Sequence, residues 1–273
     1  MPSFKKRPAA VAGQFYPGSA TALKKQIESF IDKNTSQREV IACMLPHAGY
    51  MYSGMVAAET VSSLIVKEKV ILLGPNHTGS GAAFSIMAEG SWETPLGAVK
   101  IDSDLAQKIL QCSKYLEDDS LAHLSEHSLE VELPFLQYFK KDFEIVPIAF
   151  MSDDLAALKE IGKQIAVAVK KSGLEKSVLL VASSDMTHYE SQEQAQTKDS
   201  QAIEAILALD EDMLGERVRH LDISMCGYAP VIAMIAASKE LGAKKAELIK
   251  YQTSGDVTGD IESVVGYAGV IVY

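Results

Sequence analysis

The sequence has 273 residues, with 36 acidic and 26 basic side chains and a formal net charge of −10 at pH 7. This balance argues against nucleic acid or an anionic membrane surface as a partner, because both carry negative charge. No stretch approaches the ~20 apolar residues of a transmembrane helix. The apolar stretch after the basic N-terminus is too short for a signal peptide, so we expect a cytoplasmic protein. Three widely spaced cysteines, Cys43, Cys112 and Cys226, do not indicate a disulfide framework.

Apolar runs and helical periodicity alternate along the chain. In chain order, the first half predicts an irregular arm at 7–18, a helix at 21–32, a strand at 40–45, a helix at 55–66, strands at 70–73 and 84–88, a turn at 92–97, a strand at 98–101 and a helix at 102–111. The second half predicts a helix at 125–139 bent at Pro134, a strand at 143–150, a helix at 153–171, a strand at 178–182, helices at 197–209, 210–219 and 227–241, and strands at 246–252 and 264–273.

This alternation is typical of the α/β class. We therefore predict a central, mostly parallel or mixed sheet with helices on both faces. The linkers between elements are short, which favours a single domain over residues 1–273.

Three predicted strands are each followed within a few residues by a side chain that can bind metal or transfer protons. His47 follows the first strand, His77 the second, and Asp185 and His188 follow the strand at 178–182. In open α/β sheets, ligands bind beyond the carboxyl ends of the strands. If these strands are parallel neighbours, we expect the residues to gather at one edge of the sheet. The alternative for each histidine is a polar loop residue bonded to backbone or solvent.

Cys226 immediately precedes the predicted helix at 227–241. A helix N-terminus lowers a thiol pKa and favours the thiolate. Imidazole and thiolate are ligands for late first-row metals. The sequence therefore indicates His47 and His77 as a metal-binding pair, with Cys226 as a candidate third ligand, and the three ligand atoms should then lie within about 4–5 Å of one another. A small buried apolar residue is the alternative for Cys226.

Asp185, His188 and His127 are candidates for proton transfer. An aspartate beside an imidazole can orient it and stabilise its charged form, and Glu126 and Glu130 would raise the pKa of His127. The alternatives are a helix-capping Asp185 with a surface His188, and a solvated helix face that carries His127.

Seven ordered motifs carry a resemblance to a known family. They are Arg7-Pro8 with Phe15-Tyr-Pro17, Pro46-His47-Ala-Gly-Tyr50, Gly74-Pro75-Asn76-His77, Trp92-Glu-Thr-Pro-Leu-Gly97, Glu126-His127-Ser-Leu-Glu130, Ser184-Asp185-Met-Thr-His188-Tyr189 and Cys226-Gly227. Together they resemble the Memo family, whose prokaryotic members are called AmmeMemoRadiSam system protein B. That family is similar to the catalytic subunit of class III extradiol dioxygenases, which use non-haem Fe(II).

The resemblance implies the dioxygenase-like α/β fold and a role for each matching residue. His47 and His77 match two histidine ligands, and Cys226 stands where the dioxygenases place a glutamate ligand. His188 matches their acid/base histidine, while Asp185 and His127 match other polar residues of the Memo pocket. Because thiolate is softer than carboxylate, Cys226 shifts the preference toward copper or gives the iron a different potential.

Two classes of function follow from these residues and the resemblance. The first is an iron- or copper-dependent redox enzyme that uses His188 for proton transfer. The second is a non-catalytic protein or scaffold that keeps the pocket for a small-molecule or peptide ligand. The prokaryotic family name also implies a radical-SAM protein as a partner. A hydrolase built on Asp185 and His188 is a third possibility, but the chain lacks a Gly-x-Ser-x-Gly nucleophile motif.

Overall fold

A computed structural model describes residues 6–31 and 35–273. Its helices are α1 (Ala20–Phe30), α2 (Tyr50–Ser62), α3 (Ser103–Cys112), α4 (Leu133–Phe139), α5 (Leu155–Lys171), α6 (Gln192–Leu207), α7 (Glu211–His220), α8 (Tyr228–Glu240) and α9 (Gly255–Thr258). Its strands are β1 (Ala42–Leu45), β2 (Lys69–Pro75), β3 (Phe84–Ile86), β4 (Ser91–Thr94), β5 (Gly97–Ile101), β6 (Glu117–Asp118), β7 (Glu144–Phe150), β8 (Val178–Ser183), β9 (His188–Glu190), β10 (Ala246–Thr253) and β11 (Val264–Val272).

The strands of the described residues join into one mixed sheet in the order β10-β11-β1-β8-β2-β7-β3-β6. Its centre is parallel, because β8 pairs in parallel with both β1 and β2, and β2 pairs in parallel with β7. The outer strands β11, β10 and β3 run antiparallel to their inner neighbours. The carboxyl ends of β1, β8, β2 and β7 therefore lie along the same edge.

Each central strand is buried on both sides, and alternate residues enter two separate cores. Ala42 and Met44 of β1 pack into one core with apolar residues of α3, α5, α6, α7 and α8. Cys43 and Leu45 enter the other core, which contains residues of α1, α2 and α4. This confirms the predicted α/β class with helices on both faces. None of the helices within the described ranges is long and apolar enough to cross a membrane.

The predicted helix at 125–139 is wrong in its first half. Only Leu133–Phe139 is helical, and Pro134 lies in the first turn of α4 instead of bending a longer helix. Residues 125–132 form turns around buried acids. The carboxylates of Glu126 and Glu130 are occupied by backbone N–H groups and basic side chains from distant segments, and these contacts outweigh the apolar stripe that the sequence shows.

Other predicted boundaries also differ from the structure. Residues 92–97 were expected to be a turn, but Ser91–Thr94 forms strand β4, which pairs antiparallel with β5 around a tight turn. The helix expected at 55–66 begins at Tyr50, directly after Gly49, and ends at Ser62. Part of the helix predicted at 21–32 falls on residue 32, which lies outside the described residues.

The predicted arm at 7–18 is fastened to the turns at 125–132. The buried Arg7 guanidinium lies 4.1 Å from the centre of the Trp92 ring and 2.6 Å from a carboxylate oxygen of Glu130. Glu130 also accepts hydrogen bonds from the backbone N–H groups of Ala10 and Val11 and from the hydroxyl of Tyr16. Because arm and turns share one buried carboxylate, they are held as a unit beside the carboxyl edge of the sheet.

Candidate metal centre

Three candidate residues stand two positions beyond the ends of three central strands. His47 follows Leu45 of β1, His77 follows Pro75 of β2, and Asp185 follows Ser183 of β8. Because β8 lies between β1 and β2, the three residues lie side by side at one edge. The fourth candidate position, Cys226, comes from the connection between α7 and α8.

His47 is buried and held at three points. Its backbone N–H donates to the Asp185 carboxylate at 2.8 Å, and its ring Nδ1 lies 2.8 Å from the hydroxyl of Ser183. Its Nε2 lies 3.2 Å from the Sγ atom of Cys226. Burial, followed by the nearby imidazoles of His77 and His127, holds the pKa of His47 well below its usual value. His47 is therefore a neutral imidazole, the form that binds a metal.

The carboxylate of Glu126 anchors both His77 and the nearby His127. Glu126 accepts from His77 Nδ1 at 2.9 Å and from the His77 backbone N–H at 2.5 Å, and His127 Nδ1 lies 3.4 Å from the same carboxylate. Burial opposes ionisation of Glu126, but the hydrogen bonds from His77 lower its pKa to about 2. Since Nδ1 of His77 is occupied, Nε2 is the atom left for a ligand.

Glu126 itself is a poor metal ligand. The geometry of His77, Glu126 and His127 also brings three potential ligand atoms within 4.8 Å of one another. However, Glu126 already accepts from the backbone N–H groups of His127 and Ser128 as well as from His77. We interpret this group as a carboxylate that orients two imidazoles, an arrangement common behind metal-bound histidines.

Cys226 is positioned by the close approach of the α7–α8 connection to the end of β8. The Gly227 N–H donates to the Ser184 hydroxyl at 3.0 Å, and the Cys226 sulfur accepts from the Asp185 N–H at 3.3 Å. A Cβ atom at Gly227 would overlap the carbonyl oxygen of Ser183. Only glycine allows this approach, which carries the sulfur to His47.

The structure brings His47, His77 and Cys226 together. One nitrogen from each ring and the sulfur all lie within 4.8 Å of one another. Ligands around a tetrahedral ion with bonds of about 2.0–2.3 Å would be roughly 3.5 Å apart, so the 3.2 Å between Cys226 and His47 requires only a small opening. Two anchored imidazoles and one thiol suit a late first-row metal.

The expected lowering of the Cys226 pKa is wrong for the protein without an ion. Burial and the nearby Asp185 carboxylate raise the pKa of this thiol, and these effects outweigh the helix N-terminus that the sequence suggested. The thiol is therefore protonated, and its S–H faces the neutral Nε2 of His47.

His188 lies in the short strand β9 and is partly buried. Its Nδ1 is 2.7 Å from the Met186 carbonyl and 2.9 Å from the Ser224 carbonyl. Carbonyls only accept hydrogen bonds, so Nδ1 carries a proton and Nε2 is the ring atom left to face a bound molecule.

The expected roles of Asp185 and His127 need correction. The Asp185 carboxylate accepts from the His47 backbone rather than from the His188 imidazole, so it positions the β1 loop. The pKa of His127 is lowered, because burial outweighs the attraction of Glu126. His127 stacks on His77 with ring centres 4.7 Å apart and contacts His47 edge-on at 5.5 Å, which places it at the centre as a neutral ring.

Sequence reasoning missed three residues that support the histidines: Glu126 as an anchor, Ser183 and Glu132. The sequence indicates Glu126 only as a charge close to His127. The signal for Ser183 was its position at the last residue of a strand whose loop carries Asp185. Glu132 gave no signal, because in the sequence it stands within a stretch that reads as an amphipathic helix.

Comparisons with known proteins show what this chain is similar to. The family described as Memo-like protein matches residues 7–271. A MEMO1 family protein of Methanopyrus kandleri is 43% identical, over 97% of this chain and 98% of its own length. A MEMO1 family protein of Methanosarcina acetivorans is 44% identical with the same coverage. The crystal structure of an uncharacterized protein from Escherichia coli K12 has a TM-score of 0.57 at 14% identity, covering 85% of this chain and 100% of that one, which shows similarity of fold alone.

Proposed function

This chain belongs to the Memo family, and we propose that it is a redox protein whose iron or copper ion is held by His47, His77 and Cys226. The observation that carries the proposal is the convergence of two imidazole nitrogens and one sulfur within 4.8 Å. The carboxyl ends of parallel strands are the usual place for such a site. Three protein ligands leave coordination positions free for a small molecule.

The ion would supply one-electron chemistry and an open coordination position. The chain's own residues would hold and orient the reactants. Ser183 and Glu126 keep Nδ1 of His47 and His77 occupied, and Asp185 holds the His47 loop. The acceptor Nε2 of His188 can take a proton from a bound molecule, because its Nδ1–H is committed to carbonyls. His127 would offer a neutral ring to the same molecule.

Metal analysis tests the proposal directly. Wild-type protein purified without chelator and without oxygen is expected to contain about one iron or copper per chain, and His77→Ala is expected to lose it, since metal sites depend on each ligand. His220→Ala is the control, because the side chain of His220 is 76% exposed and lies outside the site. A wild-type protein that takes up neither metal from an anaerobic solution would contradict the proposal.

The second candidate is a protein that binds a small molecule or peptide in the same pocket without catalysis. The observation in its favour is that the Cys226 thiol and His47 Nε2 already satisfy each other at 3.2 Å. A hydrogen-bonded pocket of this kind can recognise a polar ligand without an ion. Retention of ligand binding by a metal-free His77→Ala protein would favour this candidate.

A further inference from the structure

Three polar groups converge on the hydroxyl of Ser183, at the end of β8. His47 Nδ1, the carbonyl oxygen of Ser128 and the Oε1 atom of Glu132 each lie 2.8 Å from Ser183 Oγ. Ser183 and Glu132 are fully buried. The proton arrangement at this point therefore decides how His47 is held.

A hydroxyl has one proton to donate and two lone pairs to accept with. The Ser128 carbonyl can only accept, so it takes the Ser183 proton. The other two contacts must then donate to Ser183: His47 through Nδ1–H and Glu132 through a carboxylic O–H. An ionised Glu132 could only accept, and it would compete with the Ser128 carbonyl for the single Ser183 proton. The oxygen that did not receive the proton would face Ser183 Oγ at 2.8 Å without a hydrogen between them. Only a neutral Glu132 satisfies all three contacts.

The surroundings of Glu132 support the neutral acid independently. Its other carboxyl oxygen, Oε2, is buried and has no hydrogen-bond partner among the described residues. An unpaired oxygen on a buried carboxylate costs far more than one on a neutral acid. Burial raises the pKa of Glu132 well above its usual value, and the nearby Asp185 carboxylate adds to this effect; Ser183 would oppose it only by donating to the carboxylate, and its proton is already committed to the Ser128 carbonyl.

We propose that Ser183 and Glu132 are positioning residues of the metal centre, which together commit His47 to the Nδ1–H tautomer. Glu132 donates to Ser183, Ser183 donates to the Ser128 carbonyl, and the remaining lone pair of Ser183 accepts from His47. Nε2 of His47 is thereby left unprotonated and directed at Cys226. The tautomer itself does not depend on a metal; only the use of Nε2 as a ligand rests on the proposed function.

The variants separate the two residues. Ser183→Ala removes the acceptor for Nδ1–H and leaves the tautomer of His47 unconstrained. Glu132→Gln keeps a donor, because the amide NH₂ can replace the carboxylic O–H toward Ser183. Ser183→Thr keeps the hydroxyl. Ser85→Ala is the control, because Ser85 is also a buried strand serine, in β3, but its hydroxyl donates to the carbonyl of Ala82.

The experiment measures the ring ¹⁵N shifts of His47 in metal-free protein and the affinity for Fe(II) and Cu(I) without oxygen. Wild type, Ser183→Thr, Glu132→Gln and Ser85→Ala should all show protonated Nδ1 and bare Nε2. Ser183→Ala should lose this preference and bind metal about 10–100-fold more weakly, the usual effect of removing a residue behind a ligand. A carboxylic-acid carbonyl stretch that disappears in Glu132→Gln should be visible in the infrared spectrum.

Two results would overturn the proposal. One is a wild-type His47 that is protonated at Nε2, or that does not respond to Ser183→Ala. The other is a Glu132→Gln variant that perturbs His47 as much as Ser183→Ala does, because Glu132 would then be ionised. If wild type shows the Nδ1–H tautomer but binds neither metal, the proposed function fails while the positioning role stands.

Discussion

The Sγ atom of Cys226 lies 3.2 Å from Nε2 of His47, although 179 positions separate the two residues in the chain. The contact depends on two neighbouring features. The β1 loop is tied to Asp185 through the His47 backbone, and the α7–α8 connection packs against β8 through Gly227. Strand β8 therefore supports both Cys226 and His47, and substitutions in β8 should alter the geometry of the metal centre.

Replacement of Cys226 should show whether it is a ligand. Cys226→Ser should bind metal much more weakly, because a neutral hydroxyl is a poor substitute for thiolate. Cys226→Glu should favour iron over copper, since carboxylate is a harder ligand. Metal content after anaerobic loading measures both, with Cys112→Ser as the control because Cys112 lies at the end of α3. Full metal retention by Cys226→Ser would mean that the sulfur is not a ligand.

The His188→Ala variant should keep its metal. The His188 ring is held by the Met186 and Ser224 carbonyls and not by a metal-site residue, so its removal should leave metal content near the wild-type level. Any turnover should be lost, because the proton acceptor is gone. The metal content of His188→Ala is compared with that of His77→Ala, which should lose its metal. Loss of metal from both variants would mean that His188 is a ligand.

The Gly227→Ala variant should damage both stability and metal binding. A Cβ atom at this position would lie 2.6 Å from the Cβ of Ser184 and overlap the Ser183 carbonyl, so the connection must move and take Cys226 with it. Overpacking of this kind costs about 1–3 kcal/mol. Urea unfolding and metal affinity measure the two effects. Gly18→Ala is the control, because the atom nearest to its new Cβ would be 3.5 Å away. Its stability and metal affinity should not change appreciably.

The arm at 7–18 should contribute strongly to stability through one buried pair. Arg7 and Glu130 are both fully buried, and removal of one partner from such a pair costs about 3–5 kcal/mol. Arg7→Met should therefore unfold at much lower urea concentration. The matched control is Arg38→Met, because the Arg38–Glu247 pair is about 40% exposed and worth roughly 0–1 kcal/mol. Equal effects of the two substitutions would contradict this assignment.

The reactivity of Cys226 should depend on the ion. Cys112 and Cys226 are both partly exposed, but burial raises the pKa of the Cys226 and Cys43 thiols, so the metal-free protein should react with iodoacetamide first at Cys112. With a redox metal bound, Cys226 becomes a thiolate beside an oxidant and should be the first cysteine oxidised in air. Peptide mass mapping with and without metal measures the order. The same order in both states would contradict it.

The sequence was most informative about the strands. Apolar runs such as 70–73 and 178–182 have few other interpretations, and the residues that follow a parallel strand must appear at its carboxyl edge. The positions of His47, His77 and Asp185 relative to the sheet could therefore be predicted. The insertion of β8 between β1 and β2 could not, because strand order depends on how the crossovers pack.

The segment at 125–132 shows what local patterns cannot reveal. Its alternation of acidic and apolar residues fits an amphipathic helix, yet Glu126, Glu130 and Glu132 each turn inward to a different distant partner. Those partners are His77, Arg7 and Ser183, which lie 49, 123 and 51 positions away. The same limitation explains the thiol of Cys226, whose pKa follows from burial that only the fold creates.

X-ray absorption at the metal edge of anaerobically loaded protein tests the central claim most directly, because it reports the atoms bound to the ion. We predict one sulfur at about 2.3 Å and two imidazole nitrogens at about 2.0–2.1 Å, with the sulfur absent in Cys226→Ser and one imidazole lost in His77→Ala. A wild-type spectrum with no sulfur at bonding distance would contradict the His47, His77 and Cys226 centre.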